Sequence, residues 1–280
     1  MDKLPGAFLA VCLNPALQKT YVFPALIPDR VNRTRQYRLD ASGKGVNVSR
    51  VLGQLGETCR HLTQLGASLR PVFLELCARD GLDLVWVESH SPIRFCHTLI
   101  DEETGAVTEL VEESEPVGEG TGERLMEAYL PLLETAGTVI FSGTKAAGLP
   151  GDLIPRMVHG ARERGRRIIL DIQGRDLLAS LAAGPDLIKP NLYEFAATFA
   201  PELVSRNEVI PEEPRVRERV AEICRDLWER FHTQVVLSRG PRPVWYAASG
   251  ELAEYPLEAL PRPLNTTGSG DAFTAGLAAA

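Results

Sequence analysis

Disulfide and metal-binding signatures are missing from this sequence. Its five cysteines (Cys12, Cys59, Cys77, Cys96 and Cys224) lie far apart with no CxxC. That odd, scattered set predicts reduced thiols and a cytoplasmic protein. The five histidines show no HExxH or other metal spacing. No apolar run approaches a membrane span, so no membrane partner is expected. The run Phe8 to Leu13 is too short for a signal peptide and stops at Asn14-Pro15. An excess of positive charge is lacking too: 30 Lys and Arg stand against 37 Asp and Glu, a net charge of −7. With a pI near 5.4, nucleic acid is excluded as the main partner, although a local basic pocket for a phosphorylated small molecule remains open. There is no internal repeat and no long linker, so residues 1–280 are expected to form a single domain. What is present is an ordinary globular balance, 44% hydrophobic and 24% charged, which can bury a real core.

Ala7 to Leu13 reads as a strand buried on both faces. Gln18 to Ser42, with its tyrosines, prolines and arginines, reads as exposed strands or loops. After Gly43-Lys44-Gly45, the positions Val48, Val51, Leu52 and Leu55 share a helical face. Ser91 to Val111 reads as a hairpin around Glu102-Glu103-Thr104-Gly105. The second half alternates: strands at Thr138–Gly143, Arg166–Ile172, Asp186–Asn191 and QVVLSRG, with helices between them. One of these carries Val216, Val220, Ile223, Leu227 and Phe231 along one side. Strand–helix alternation predicts an α/β fold, a mostly parallel sheet covered by helices on both faces. Ligands in such sheets bind beyond the carboxyl ends of the strands.

Three patterns lie where such ligands bind. Gly268-Ser269-Gly270-Asp271 is a glycine turn opening a helix. Its backbone N–H groups can hold an anion and Asp271 can accept a hydroxyl proton, or Asp271 merely caps the helix. Gly43-Lys44-Gly45-Val46-Asn47 is a second glycine-flanked loop, without Walker A spacing. Lys44 can meet a phosphate and Asn47 a hydroxyl, or the segment is a plain turn. Asn191 and Glu194, three apart, can orient metal-bound water or form a capping box. Taken singly, each pattern has a structural reading.

Their order is more telling. LNPALQKT, GKGVNVSRVLGQLG, SGTKAAGLP, LDIQGRDL, IKPNLYEF, VVLSRG and NTTGSGDAFTAGLAA follow one another from Leu13 to Ala279. This series resembles the PfkB carbohydrate kinases of the ribokinase-like fold, within them the hexose-phosphate branch. The resemblance implies a three-layer αβα fold with a small β-lid, here about residues 17–39 and 92–111, of a kind that often forms a homodimer clasp. It implies ATP and Mg2+ as cofactors and a sugar phosphate as small-molecule partner. Asp271 matches the catalytic base, and Gly268, Ser269 and Gly270 with it the anion hole. Asn191 and Glu194 match the element that positions magnesium through water. Ser238 and Gly240 match the nucleotide loop, with Lys189 near its phosphates. Gly43, Lys44 and Asn47 match the sugar loop, while Arg94 and Ser142 match positions that hold the acceptor's own phosphate.

The chain departs from the family pattern in three places. Gln18 stands where the family usually has a sugar-binding Asp. Ser42, Pro241 and Pro243 replace usual glycines. Relatives continue beyond the helix begun at Asp271, so the part of the fold that lines the adenine pocket is expected to be missing. The leading expectation is an ATP-dependent kinase of a phosphorylated ketohexose. A non-catalytic sugar-phosphate-binding regulator is one alternative, and a kinase of an unphosphorylated sugar or nucleoside another. Against the latter, an uncharged acceptor would leave Lys44 and Arg94 without a partner.

Overall fold

The computed structural model describes residues 7–204, 214–258 and 266–280. Its centre is a nine-stranded sheet ordered β13-β12-β11-β10-β9-β8-β1-β4-β5. The parallel part comprises β1 (Ala7–Cys12), β4 (Cys59–Leu65), β5 (Asp83–Glu88), β8 (Ala136–Ser142), β9 (Arg167–Asp171), β10 (Leu187–Ile188) and β11 (Gln234–Arg239). The antiparallel strands β12 (Arg242–Ala248) and β13 (Glu251–Tyr255) finish one edge.

Alternation along the central strands explains the layering. Leu9, Val11, Val139, Phe141, Ile168, Leu170, Val235 and Leu237 point into one core. That core is covered by α3 (Thr121–Leu132), α4 (Leu153–Glu163), α5 (Gly174–Ser180), α6 (Leu192–Phe199) and α7 (Pro214–Phe231). Their neighbours Ala10, Ile140, Ile169 and Val236 face the other way, against α1 (Lys44–Gln54) and α8 (Ser269–Ala279). Phe73, Leu76 and Cys77 of α2 (Arg70–Arg79) extend this second layer. A strand buried on both faces reads as a continuous apolar run, which is why these strands stand out in the sequence. On α1, Val48 and Leu52 are buried as expected, whereas Leu55 lies past the helix end and is 55% exposed.

A second, four-stranded sheet forms the lid. Its order is β3-β2-β6-β7, from β2 (Ala16–Phe23), β3 (Gln36–Ser42), β6 (Arg94–Asp101) and β7 (Val107–Val111). β6 and β7 make the hairpin read from the sequence, and β2 pairs with β6 in parallel. The lid root is not the exposed region expected from composition: Leu17 and Ala41 are fully buried against Val46 and Phe73.

Candidate active site

The loops after the parallel strands open into a cavity of about 400 Å³, bounded on its other side by the lid. Lys44 and Asn47 reach it from the first turn of α1, a position that depends on Gly43. Gly43 has φ +124°, and a Cβ there would lie 2.8 Å from Cys12 Sγ, so the turn needs glycine. Asp171 enters from the end of β9, Lys189 and Asn191 from the segment after β10, and Glu194 from α6. The start of α8 contributes Gly268, Gly270 and Asp271. Gly268 enters that helix at φ +82°, left-handed geometry that glycine adopts without strain. Helix N-termini leave N–H groups without intrahelical acceptors, so this rim of the cavity suits an anion.

Asp271 is the third residue of α8, and its carboxylate turns across the cavity. Asn47 Nδ2 donates to its Oδ2 at 2.8 Å. The side chain is 6% exposed. Burial pushes its pKa up to about 6; the Asn47 hydrogen bond pulls it down, Asp171 raises it, and Lys44 and Lys189 lower it. A carboxylate poised just below neutral pH, with Oδ1 bonded to no donor among the described residues, suits general-base work.

Beneath it lies an ion cluster. Asp171, 1% exposed, accepts from Ser142 Oγ at 3.1 Å and Thr274 Oγ1 at 2.9 Å through Oδ2. Its Oδ1 sits 3.4 Å from Lys189 Nζ and 3.9 Å from Lys44 Nζ. Lys44 Nζ also donates to Glu194 Oε1 at 3.1 Å. Burial works against the Lys44 ammonium, but Asp171 and Glu194 outweigh it and hold the amine above its ordinary range. Asn191 and Glu194 form the capping box that their spacing allows: Asn191 Oδ1 accepts from Glu194 N at 2.8 Å, and Glu194 Oε2 from Asn191 N at 2.9 Å. Both residues nonetheless line the cavity.

The pattern of the pfkB family carbohydrate kinases matches residues 11–280. This chain belongs to the PfkB family. A Xanthomonas campestris pv. campestris relative named 1-phosphofructokinase is 31% identical over 193 residues, which span 68% of this chain and 61% of the relative. Phosphofructokinase-2 from Escherichia coli, solved with fructose-6-phosphate, superposes with a TM-score of 0.81 at 22% identity, covering 96% of this chain and 85% of that one. A Thermotoga maritima protein described as a possible 1-phosphofructokinase gives 0.82, also at 22% identity, over 98% and 84%. At such identities the two structures establish the ribokinase-like fold.

On the lid side of this PfkB protein, Gln18, Arg94, Cys96, Glu109 and Val111 face the cavity. Gln18 Nε2 donates to Thr98 Oγ1 at 2.7 Å, so the amide is tied to its own sheet. Arg94 donates to two backbone carbonyls, of Glu112 at 3.0 Å and of Asn14 at 3.5 Å. Its Nε is buried without a partner, and among the described residues no carboxylate pairs with it.

Three residues singled out by the resemblance do not line the cavity: Ser142, Ser269 and Gly240. Ser142 is 2% exposed and gives its hydroxyl to Asp171. Ser269 is exposed at the outset of α8, and Gly240 turns the chain between β11 and β12 at φ +62°. The sequence argument that an uncharged acceptor would strand two cations also needs correcting. Lys44 has carboxylate partners within the protein, which leaves Arg94 alone. Asp171 and Glu109 went unread as site residues. The available sign for Asp171 was an acidic residue directly after the apolar run Ile168–Leu170, at the edge where ligands of such sheets bind.

Proposed function

We propose that this PfkB protein transfers a phosphoryl group from ATP to a hydroxyl of a phosphorylated ketohexose. The observation that carries the proposal is the pairing, in one cavity, of a poised carboxylate at a helix N-terminus with an arginine on the facing lid that forms no ion pair among the described residues. Asp271 accepts the proton of the attacking hydroxyl. The first-turn amides of α8 stabilise the charge spread over the transferring group. Lys189, 3% exposed and beside Gly270, adds a fixed positive charge at the same place. Arg94 takes the acceptor's own phosphate, for which its planar guanidinium is suited. Gln18 offers an amide oxygen to the sugar, and Ser238 faces the nucleotide side. The lid excludes water and so suppresses ATP hydrolysis.

Mg2+ fits the donor set. Among the described residues no three His, Cys, Asp or Glu side chains gather as a metal cage. Glu194 is already engaged by Lys44 and the capping box, and Asp171 Oδ1 is buried without a hydrogen bond. Mg2+ is commonly held by one or two carboxylates with waters and substrate phosphates completing the shell. Glu194 would hold it through water, and the ion would neutralise charge on the nucleotide phosphates.

The test is coupled ADP release with ATP, Mg2+ and fructose 1-phosphate, fructose 6-phosphate, tagatose 6-phosphate or fructose. Turnover with a phosphorylated acceptor supports the proposal; binding of sugar phosphate without turnover supports a regulator. Arg94→Ala is expected to raise KM for the phosphorylated acceptor roughly 10- to 100-fold, the loss of about 1.5–3 kcal/mol in charge-assisted hydrogen bonds. KM for ATP should stay within about twofold. An unchanged acceptor KM would point to an unphosphorylated sugar.

A homodimer through the lid belongs to the same proposal. Ile27, Val31, Tyr37, Val107 and Leu110 expose apolar surface there, Val31 to 81%. Sedimentation equilibrium should give a dimer at micromolar concentration and a monomer for a Tyr37→Asp/Leu110→Glu variant. A monomeric wild type would rule the lid contact out. Cytoplasmic residence is proposed from the five cysteines, all unpaired.

A further inference from the structure

Asp271 is oriented by Asn47, and Asn47 is itself held by a residue outside the cavity. Arg50 lies three residues further along α1, on the same helix face. Its Nη1 donates to Asn47 Oδ1 at 2.8 Å, its Nη2 to the carbonyl of Ala41 at 2.6 Å, and its Nε to Asp80 Oδ2 at 2.9 Å. We infer that Arg50 is a positioning residue for the base, acting by locking the Asn47 amide with its nitrogen toward Asp271. The inference rests on the proposed role of Asp271.

The chemistry of the donors makes the lock one-way. A guanidinium carries only donors, so the atom of Asn47 that meets Arg50 must be the oxygen. The amide nitrogen is thereby committed to Asp271 Oδ2, and Oδ1 is left for a hydroxyl. An amide without that anchor is free to rotate or turn over, and the reversed form presents an oxygen to a carboxylate. Arg50 is fixed in turn at both ends. Asp80, the C-cap of α2, is raised by burial, but the hydrogen bond and charge of Arg50, with those of Arg79, hold it below the usual carboxylate range. The Ala41 carbonyl belongs to β3, at the lid root. A lysine could replace the charge but not the three-pronged grip.

The consequence is read at Asp271. The groups facing it are Asn47 and Lys44 from α1, Asp171 from β9, and Lys189 after β10, with Glu194 of α6 acting through Lys44. Among them Asn47 is the direct hydrogen-bond donor. Loosening it removes a contact that favours the ionised form, so the carboxyl is expected to hold its proton to higher pH.

The experiment compares Arg50→Lys, which keeps the charge, and Arg50→Met/Asp80→Asn, which leaves no orphaned carboxylate, with wild type. Both should lower kcat at least about tenfold, the scale of loss from misplacing a reacting group. Both should keep KM for ATP within about twofold. The acid limb of the kcat profile should move upward from near 6 by about half a unit or more. Carbon-13 NMR of the Asp271 carboxyl in the ligand-free protein should show the same move. In an Asn47→Ala background, Arg50→Lys should have no further effect on either readout. A folded Arg50→Lys protein whose Asp271 titrates as in wild type would overturn the inference. So would an equal loss of kcat in the Asn47→Ala background, which would mark a merely structural role. If Asp271→Asn proved active, the base itself would be misassigned. If that variant is inactive while Arg50→Lys titrates normally, only the positioning role fails.

Discussion

Asp271→Asn is expected to lower kcat roughly 10²- to 10⁴-fold, the usual contribution of a general base, while making the protein harder to unfold at pH 8. The two effects share one cause. Folding takes the Asp271 carboxyl from 3.8 to about 6, chiefly by burial. The native state therefore holds the proton more tightly than the unfolded chain. Its contribution to stability is fully present below about pH 3.8 and is lost as pH rises through about 6. Above that, the native protein keeps a buried charge at a cost of up to about 3 kcal/mol. Asparagine has no charge to bury and keeps an oxygen for the Asn47 amide. Its Tm advantage should be largest near pH 8 and shrink toward pH 4 in scanning calorimetry. Near-normal turnover in the variant would remove Asp271 from the chemistry. A Tm below wild type at pH 8 would show that the ionised carboxylate is needed structurally.

Asp171→Ala should be the most damaging single change to stability in the site. Asp171 is 1% exposed and Lys189 3%, with 3.4 Å between their charged atoms. Removing the acid leaves the Lys189 ammonium buried without its partner and takes the acceptor from the Ser142 hydroxyl, whereas Thr274 keeps the Gly270 carbonyl. Breaking a buried ion pair from one side costs about 3–5 kcal/mol, which corresponds to a fall in Tm of roughly 10 °C for a domain of this size. Lys44, whose side chain is 42% exposed and paired with Glu194, should suffer less. Asp171→Ala/Lys189→Met should recover much of the lost stability but not activity, because Met keeps about the bulk of Lys189 without the stranded charge. A Tm for Asp171→Ala within a few degrees of wild type would mean that water or Glu194 compensates Lys189, and that the cluster does not govern the fold.

The parts of this architecture legible in the sequence were those whose signal is local. β1 is a continuous apolar run, β8, β9 and β11 carry the apolar centres Val139–Phe141, Ile168–Leu170 and Val235–Leu237, and α7 carries its stripe at helical spacing. β4 gave no such sign, because His61, Thr63 and Gln64 occupy buried positions in it. Part of that polarity is met by other segments: Ser49 Oγ lies 2.9 Å from His61 Nδ1, and Thr63 Oγ1 donates to the Cys12 carbonyl, while His61 Nε2 is buried with no partner among the described residues. β12 and β13 were missed as well, although Ser249-Gly250 between them is a turn signal with both residues at positive φ. In the site, glycine loops before helices pointed to Gly43–Asn47 and Gly268–Asp271. Arg50 and Asp171 could not be found that way. Each looks ordinary alone and takes its meaning from partners elsewhere in the chain, Asp80 for one, Thr274 for the other.

The parallel pairing of β2 with β6 has a consequence for how the molecule comes into being. Gln18 and Thr98, hydrogen-bonded across these strands, are 80 positions apart in the chain. As a growing polypeptide leaves the ribosome, β2 must wait, unpaired on that side, until everything through β6 has emerged. The delay is filled by α1, β4, α2 and β5, which lie between the two strands in sequence. During it, the aromatic strand Ala16–Phe23 is an open edge that a neighbouring nascent chain could capture. The lid sheet can thus be complete once Val111 has emerged, while β8 to β13 and α8, which carry Asp171, Lys189 and Asp271 of the cavity it bounds, are still to come.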